Sequence, residues 1–250
     1  MRRLLAALAL VFAPAGSALA AGADQVCRPD TFEGARYTVC TADPAQLAIR
    51  VFWKSGTGSP YGSFSALADD ARRTGLDIRF AMNGGMYQED LSPVGLYVEN
   101  GQTLKKANTR SGPGNFHMKP NGVFYVAGQR AGVLTTDAYL KAPPKADFAT
   151  QSGPMLVIDG AIHPAFKAAS ESEKIRNGVG VGPEGLVHFV VSDDAVTFHE
   201  FARYFRDRLG DPNALFLDGS ISSLYAPDLD RADSWFPMGP IVAAVSRKPL

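Results

Sequence analysis

Along most of this chain the apolar residues come in short runs, at 94–98, 122–126, 133–134 and 155–158, and each run is cut off by Gly, Asn or Asp. Apolar segments of that length bounded by turn formers predict strands rather than helices. Asn100-Gly101 and Asp159-Gly160 predict tight hairpin turns, because these residues tolerate the positive φ that such turns demand. This stretch therefore reads as a β-meander. Residues 35–54 alternate apolar and polar positions (Tyr37, Val39, then Leu47, Ile49, Val51, Trp53), which predicts two antiparallel strands joined near Asp43-Pro44. Residues 179–181 and 186–191 form one more expected hairpin around Pro183-Glu184-Gly185, and residues 241–245 a last strand.

Two segments have helical spacing instead. Phe64, Leu67, Ala68 and Ala71 fall on one face of residues 63–74, with Gly75 as the stop. Thr197-Phe198-His199-Glu200 is a capping box that opens a second helix, whose face Phe198, Phe201, Ala202, Phe205 and Leu209 runs up to Gly210. The expected fold is α+β, with more strand than helix and a mixed or antiparallel sheet core. Neither a linker nor a repeat divides the chain, so residues 21–250 read as a single domain.

Residues 1–20 carry Arg2 and Arg3, an apolar run to Ala13, and the small-residue pattern Ala18-Leu19-Ala20, which predicts an export signal cleaved after Ala20. No later stretch approaches the roughly 20 apolar residues that span a bilayer, so stable membrane insertion is not expected and the protein reads as periplasmic or secreted. The chain holds 25 basic and 25 acidic residues, and removal of Arg2 and Arg3 takes the balance to −2. Such a balance gives no reason to expect nucleic acid as a partner. Cys27 and Cys40, the two cysteines, can pair in an exported chain. No protein partner can be inferred.

The chemistry-bearing residues cluster where strands end. Leu215-Phe216-Leu217-Asp218-Gly219-Ser220 reads as a buried strand that delivers Asp218 to a loop containing Ser222 and Ser223. Asp218 there is either a base or nucleophile or the cap of a helix beginning near Ser220. Asn83-Gly84-Gly85 ends another strand, and its glycines suit close approach of backbone amides to an anion. Glu173, Lys174, Arg176 and Asn177 form a third cluster, either an anion site built on the Arg176 fork or a surface pair of Glu173 with Arg176. Ser152 in Gln151-Ser152-Gly153-Pro154 is one further hydroxyl flanked by glycine. The four histidines lack metal-site spacing, and Asp228, Asp230 and Asp233 lack the calcium-loop pattern, so no metal or other cofactor is expected.

In order and spacing, Asn83-Gly84-Gly85-Met86-Tyr87, Gly95-Leu96-Tyr97-Val98-Glu99-Asn100-Gly101, Asn121-Gly122-Val123-Phe124, Ser152-Gly153-Pro154-Met155, Arg176-Asn177-Gly178-Val179-Gly180 and Leu217-Asp218-Gly219 together resemble the phosphodiester glycosidase family over about residues 75–245. The resemblance implies hydrolysis of the bond between a sugar's anomeric carbon and a phosphodiester oxygen. It brings Asn83, Arg176 and Asp218 near the pocket. Where the family often has a second glycine after Asp-Gly, this chain has Ser220.

On this reading Arg176 and the amides of Gly84 and Gly85 cradle the departing phosphate, and Asp218, or else Glu173, supplies the carboxylate. Ser152, Asn177, Gly219 and Ser222 complete the expected binding set around a sugar phosphodiester. Two rivals make different demands. An envelope protein that only binds glycans or phosphorylated wall polymers needs no ionised Asp218, and a metal-dependent phosphodiesterase needs a ligand set that the sequence does not display.

Overall fold

The structure is a computed structural model that describes residues 25–218, 221–234 and 236–247. The leader residues, Gly219 and Ser220 lie outside the described residues. In chain order the strands are β1 (Cys27–Phe32), β2 (Ala35–Ala42), β3 (Leu47–Phe52), β4 (Ile78–Asn83), β5 (Tyr97–Glu99), β6 (Gln102–Lys105), β7 (Gly122–Ala127), β8 (Arg130–Thr135), β9 (Phe148–Ser152), β10 (Met155–Ile158), β11 (Ala161–Ile162), β12 (Asn177–Val181), β13 (Val187–Ser192), β14 (Asn213–Asp218), β15 (Leu224–Ala226), β16 (Arg231–Ala232) and β17 (Ile241–Ser246). The α-helices are α1 (Phe64–Thr74), α2 (Thr136–Lys141) and α3 (Phe198–Arg203).

These strands form three antiparallel sheets, ordered β1-β2-β13-β12-β14-β10-β11, β16-β15-β4-β17-β3 and β6-β5-β9-β7-β8. The fold is α+β and strand-rich, as expected. Ile49, Phe80, Met82, Tyr97, Phe124, Phe189, Leu215, Leu217 and Val242 come from all three sheets and pack into one central core. The opposite face of the large sheet is covered by α3 and the π turn that continues it over Tyr204–Leu209, with Phe201, Tyr204 and Phe205 packed on Val39, Val190 and Phe216. The opposite face of the second sheet is covered by α1, with Phe64 and Leu67 on Ala81, Ile241 and Ala243.

Local signals held where they were strong. Ser63 Oγ accepts from Ala66 N (3.2 Å) at the start of α1, and Gly75 closes that helix at φ 70°. At the start of α3 both halves of the Thr197–Glu200 capping box are present, and the helix then widens into a π turn over Tyr204–Leu209. Asn100 and Gly101 (φ 51° and 75°), like Asp159 and Gly160 (φ 48° and 81°), are left-handed, as their hairpins require. The β12–β13 hairpin forms as expected.

Pairing partners departed from expectation. β2 and β3 are not a hairpin, because β2 pairs with β1 and β13 whereas β3 pairs with β17 in another sheet. The meander is broken too, since β9 inserts between the hairpins β5–β6 and β7–β8, and β10 joins the large sheet. Both changes trade a local partner for burial on a distant strand, a choice that alternation of residues cannot encode. Cys27 and Cys40 face each other across β1 and β2 and form a disulfide.

Candidate active site

Three strand ends meet at one point. β14 is buried between β12 and β10; Leu215 and Leu217 point into the central core, and Ala214 and Phe216 toward α3. Asp218 is the last residue of that strand, lies opposite Asn177 of β12 and is 5% exposed. Asn177 Nδ2 donates to the carbonyl oxygen (3.0 Å) and to Oδ1 (2.9 Å) of Asn83, the last residue of β4. In turn, Asn177 Oδ1 accepts from the Asp218 amide at 2.9 Å, and Asn83 Oδ1 accepts from the Ser223 amide at 2.9 Å. Two fully buried amide side chains thus fix the backbone on both sides of the loop that carries Asp218. Asn83 Nδ2, buried as well, finds no hydrogen-bond partner among the described residues. A buried donor in that state is uncommon in a folded protein.

The Asp218 carboxylate lines a cleft of about 560 Å³, together with Met86, Tyr87, Asn115, Phe116 and His117. It is the one acid among the described residues lining that cleft. Tyr87 donates from its hydroxyl to the Pro237 carbonyl (2.7 Å). Burial, and after it the charge of Asp218, pushes the Tyr87 hydroxyl up to about 12, so the phenol stays protonated at neutral pH. His117 Nδ1 lies 3.0 Å from the Arg110 carbonyl, which assigns the proton to Nδ1 and leaves a lone pair on Nε2 in the neutral ring. The sequence reading passed over Asn115 and His117. The signal available there was the turn-rich run Gly112-Pro113-Gly114-Asn115 ahead of two aromatic rings, which places main chain and side chains on a loop.

The other expected site residues are divided. Ser152 is wholly buried and donates to the Leu217 carbonyl at 2.6 Å, joining β9 to β14 behind the cleft. Ser222 Oγ lies 3.1 Å from the Asp218 carbonyl and 3.2 Å from that of Ile175. No helix begins at residues 221–223, which run irregularly into β15, so the helix-cap reading of Asp218 falls.

The Gly84 amide is not free to cradle an anion. It donates to the Pro240 carbonyl (2.7 Å), and its own carbonyl accepts from Thr150 Oγ1 (2.8 Å). A side chain at Gly84 would come within 2.8 Å of the Val242 amide nitrogen, and one at Gly85 (φ 149°) within 2.8 Å of Thr150 Oγ1. Close packing against β17 and β9 thus accounts for these glycines.

Arg176 is 2% exposed and is not one of the residues lining the Asp218 cleft. Its Nε donates to the Val196 carbonyl and its Nη2 to the Ser172 carbonyl, both at 2.8 Å. Its guanidinium stacks 3.7 Å from the centre of the Phe198 ring. Desolvation, partly opposed by Glu200, pulls its pKa down to about 10. Glu173 is exposed and lines neither this cleft nor the groove that Ser222 and Ser223 line, so it does not stand beside Asp218. Gly219 lies outside the described residues. Among the described residues no three His, Cys, Asp or Glu side chains gather as a metal-binding group, and no helix is long and apolar enough to cross a membrane.

Residues 77–235 match the model of the phosphodiester glycosidase family. The chain belongs to the phosphodiester glycosidase family. The matched range holds Asn83, Asn177 and Asp218, while β17, which pairs with β4, and β3, which pairs with β17, lie outside it. The chain is 42% identical over 185 residues to the uncharacterized protein YigE of Escherichia coli (strain K12), covering 74% of this chain and 72% of YigE. The fold is similar to that of the zebrafish N-acetylglucosamine-1-phosphodiester alpha-N-acetylglucosaminidase catalytic domain auto-inhibited by its pro-peptide. The TM-score is 0.59 at 14% identity, over 89% of this chain and 82% of that one. A hypothetical protein from Synechocystis is similar at TM-score 0.56 and 16% identity over 88% of this chain, which spans only 61% of that structure's length. At such identities the two structures share the fold with this phosphodiester glycosidase family member and no more.

Proposed function

We propose that this protein is an exported hydrolase that cleaves the bond between a sugar's anomeric carbon and a phosphodiester oxygen, with Asp218 as the carboxylate beside the reacting carbon. The observation that carries the proposal is the placement of Asp218: a nearly buried acid at a strand end, its amide fixed by Asn177, in a cleft that offers no second carboxylate among the described residues. Ordinary glycosidases need two carboxyl groups, one of them to protonate a poor alcohol leaving group. A phosphodiester oxygen leaves as a stable anion, so one carboxylate suffices to stabilise the oxocarbenium-like centre or to activate water. In the same cleft the His117 Nε2 lone pair and the oxygen of Tyr87, whose own proton goes to Pro237, are the polar groups positioned to accept from sugar hydroxyls. The amino-terminal leader pattern supports export.

The test is release of sugar from a panel of sugar 1-phosphodiesters, N-acetylglucosamine α-1-phosphodiesters included, by wild type and Asp218→Asn. Turnover should fall by more than about 10²-fold in the variant while ligand affinity and unfolding midpoint stay near wild type. Binding without cleavage by wild type would overturn the hydrolase reading in favour of a glycan-binding envelope protein.

A further inference from the structure

Across the loop that follows β14 lies a second groove, of about 430 Å³. Its polar floor is already satisfied. Arg231 pairs with Asp193 (Nη1 to Oδ1, 2.6 Å) and with Asp233 (Nη2 to Oδ2, 3.0 Å). Ser192 Oγ accepts from the Arg176 amide, and the Ser223 amide is held by Asn83. A polyhydroxylated ligand would find few donors or acceptors there that are not in use.

The rim is of the opposite character. Only four large hydrophobic side chains are exposed among the described residues, and two of them, Ile175 (39%) and Phe236 (58%), stand on this groove together with the half-buried Ile221. Single exposed hydrophobics are ordinary, but two gathered in one concavity indicate apolar recognition. Lys174 also lines the groove and has no ion pair among the described residues. The groove is tied to the Asp218 cleft by two hydroxyls: Ser222 Oγ reaches the carbonyls of both Asp218 and Ile175, and Tyr87 donates to Pro237, the neighbour of Phe236.

We infer that this groove is the leaving-group subsite, and that it selects sugar 1-phosphodiesters whose second alcohol is an alkyl or aryl group, with the Lys174 ammonium facing the phosphate. The inference rests on the hydrolytic reading above. With the sugar in the Asp218 cleft, the phosphate lies at the Ser222 divide and the apolar alcohol runs over Ile175 and Phe236. Water attacks the anomeric carbon and gives its proton to the Asp218 carboxylate, the C1–O bond breaks, and the alkyl phosphate departs with the bonding electron pair through this groove, after which the proton returns from Asp218 to solvent.

The experiment has two arms. Calorimetry compares methyl, butyl and octyl phosphate, below micelle-forming concentrations, on wild type, Ile175→Ser/Phe236→Ser and Lys174→Gln. Burial of methylenes should tighten binding by about two- to fourfold for each one the groove covers, and the double substitution should abolish that dependence without lowering the unfolding midpoint, because both side chains are exposed. Lys174→Gln should weaken all three phosphates alike. Kinetics then compares kcat/KM for N-acetylglucosamine 1-phosphodiesters of methanol, butanol, octanol and a hexose. Equal affinity for methyl and octyl phosphate, or a chain-length dependence that survives the double substitution, overturns the subsite. Cleavage that prefers a sugar alcohol over octanol overturns it in favour of a polar leaving group. If octyl phosphate binds through Ile175 and Phe236 but no diester is cleaved, the groove stands and the hydrolytic reading falls; if diesters are cleaved at one rate whatever the chain, the reverse holds.

Discussion

Asn177 holds both the main chain and the side chain of Asn83, at 3.0 and 2.9 Å, and with its other side-chain atom holds the amide of Asp218. One amide group therefore spans the ends of β4, β12 and β14. Asn177→Ala leaves the Asp218 amide and the Asn83 carbonyl unsatisfied in the interior, which costs about 2–4 kcal/mol at the usual price of stranded buried groups. Asn177→Asp removes both donor contacts and destabilises in the same direction. Urea unfolding should register these losses, and turnover should fall even under conditions where the variants stay folded.

Arg176 gives a prediction that separates structure from ligand binding. Arg176→Lys keeps a charge but loses the planar fork that reaches Val196 and Ser172 and the stacking on Phe198. A loss of about 2–3 kcal/mol in unfolding free energy is expected, with phosphate affinity of the folded enzyme changed by less than about threefold. A variant of wild-type stability that no longer binds phosphate esters would contradict the placement described.

At Gly84 the prediction is steric. Gly84→Ala sets a methyl group 2.8 Å from the Val242 amide nitrogen, and main chain cannot move aside as a flexible side chain can. Overpacking of this kind costs about 1–3 kcal/mol, and differential scanning calorimetry should show a lower midpoint.

Asp30 supplies a pH dependence. The hydrogen bond from Arg208, opposed by partial burial and aided by Tyr204, holds its carboxyl down at about 2. A folded pKa below the unfolded value of about 3.9 means that the carboxylate stabilises the fold above that value, and the contribution is lost as pH falls from about 4 to 2. Because Arg208 is half exposed, the gain is discounted to roughly 1–2 kcal/mol. Asp30→Asn should be less stable than wild type by that amount at pH 7, and the two should converge by about pH 2 in denaturant titrations.

The Cys27–Cys40 bond closes a loop with a sequence separation of 13 between two strands already in register. Replacing both residues by Ala should lower stability by about 3 kcal/mol. The activity of the folded fraction should be unchanged, because β1 lies at the edge of the large sheet, with three strands between it and β14, which carries Asp218.

Much of this protein was legible in its residues. Where a conformation depends on neighbours in the chain, the physics is local and the residues report it: the capped ends of α1 and α3, the left-handed turns at Asn100-Gly101 and Asp159-Gly160, and the strand that ends on Asp218. The family motifs likewise brought Asn83, Asn177 and Asp218 into view, and the structure joins those three by direct hydrogen bonds.

Only the tertiary structure decided which strand pairs with which and where each polar side chain points. Alternation marks β2 and β3 as half-buried strands but does not name the partners that bury them, so the expected hairpin gave way to pairing in two different sheets. In the same way Arg176 reads as a phosphate ligand in sequence, until Phe198 and two main-chain carbonyls 20 and 4 residues away satisfy it in the interior. His117 joined the cleft without any motif to announce it, because the loop that carries it is brought to Asp218 from a hundred residues away in sequence. Local propensities act over a few residues, whereas desolvation and hydrogen-bond satisfaction are settled among groups that meet only when the sheets close.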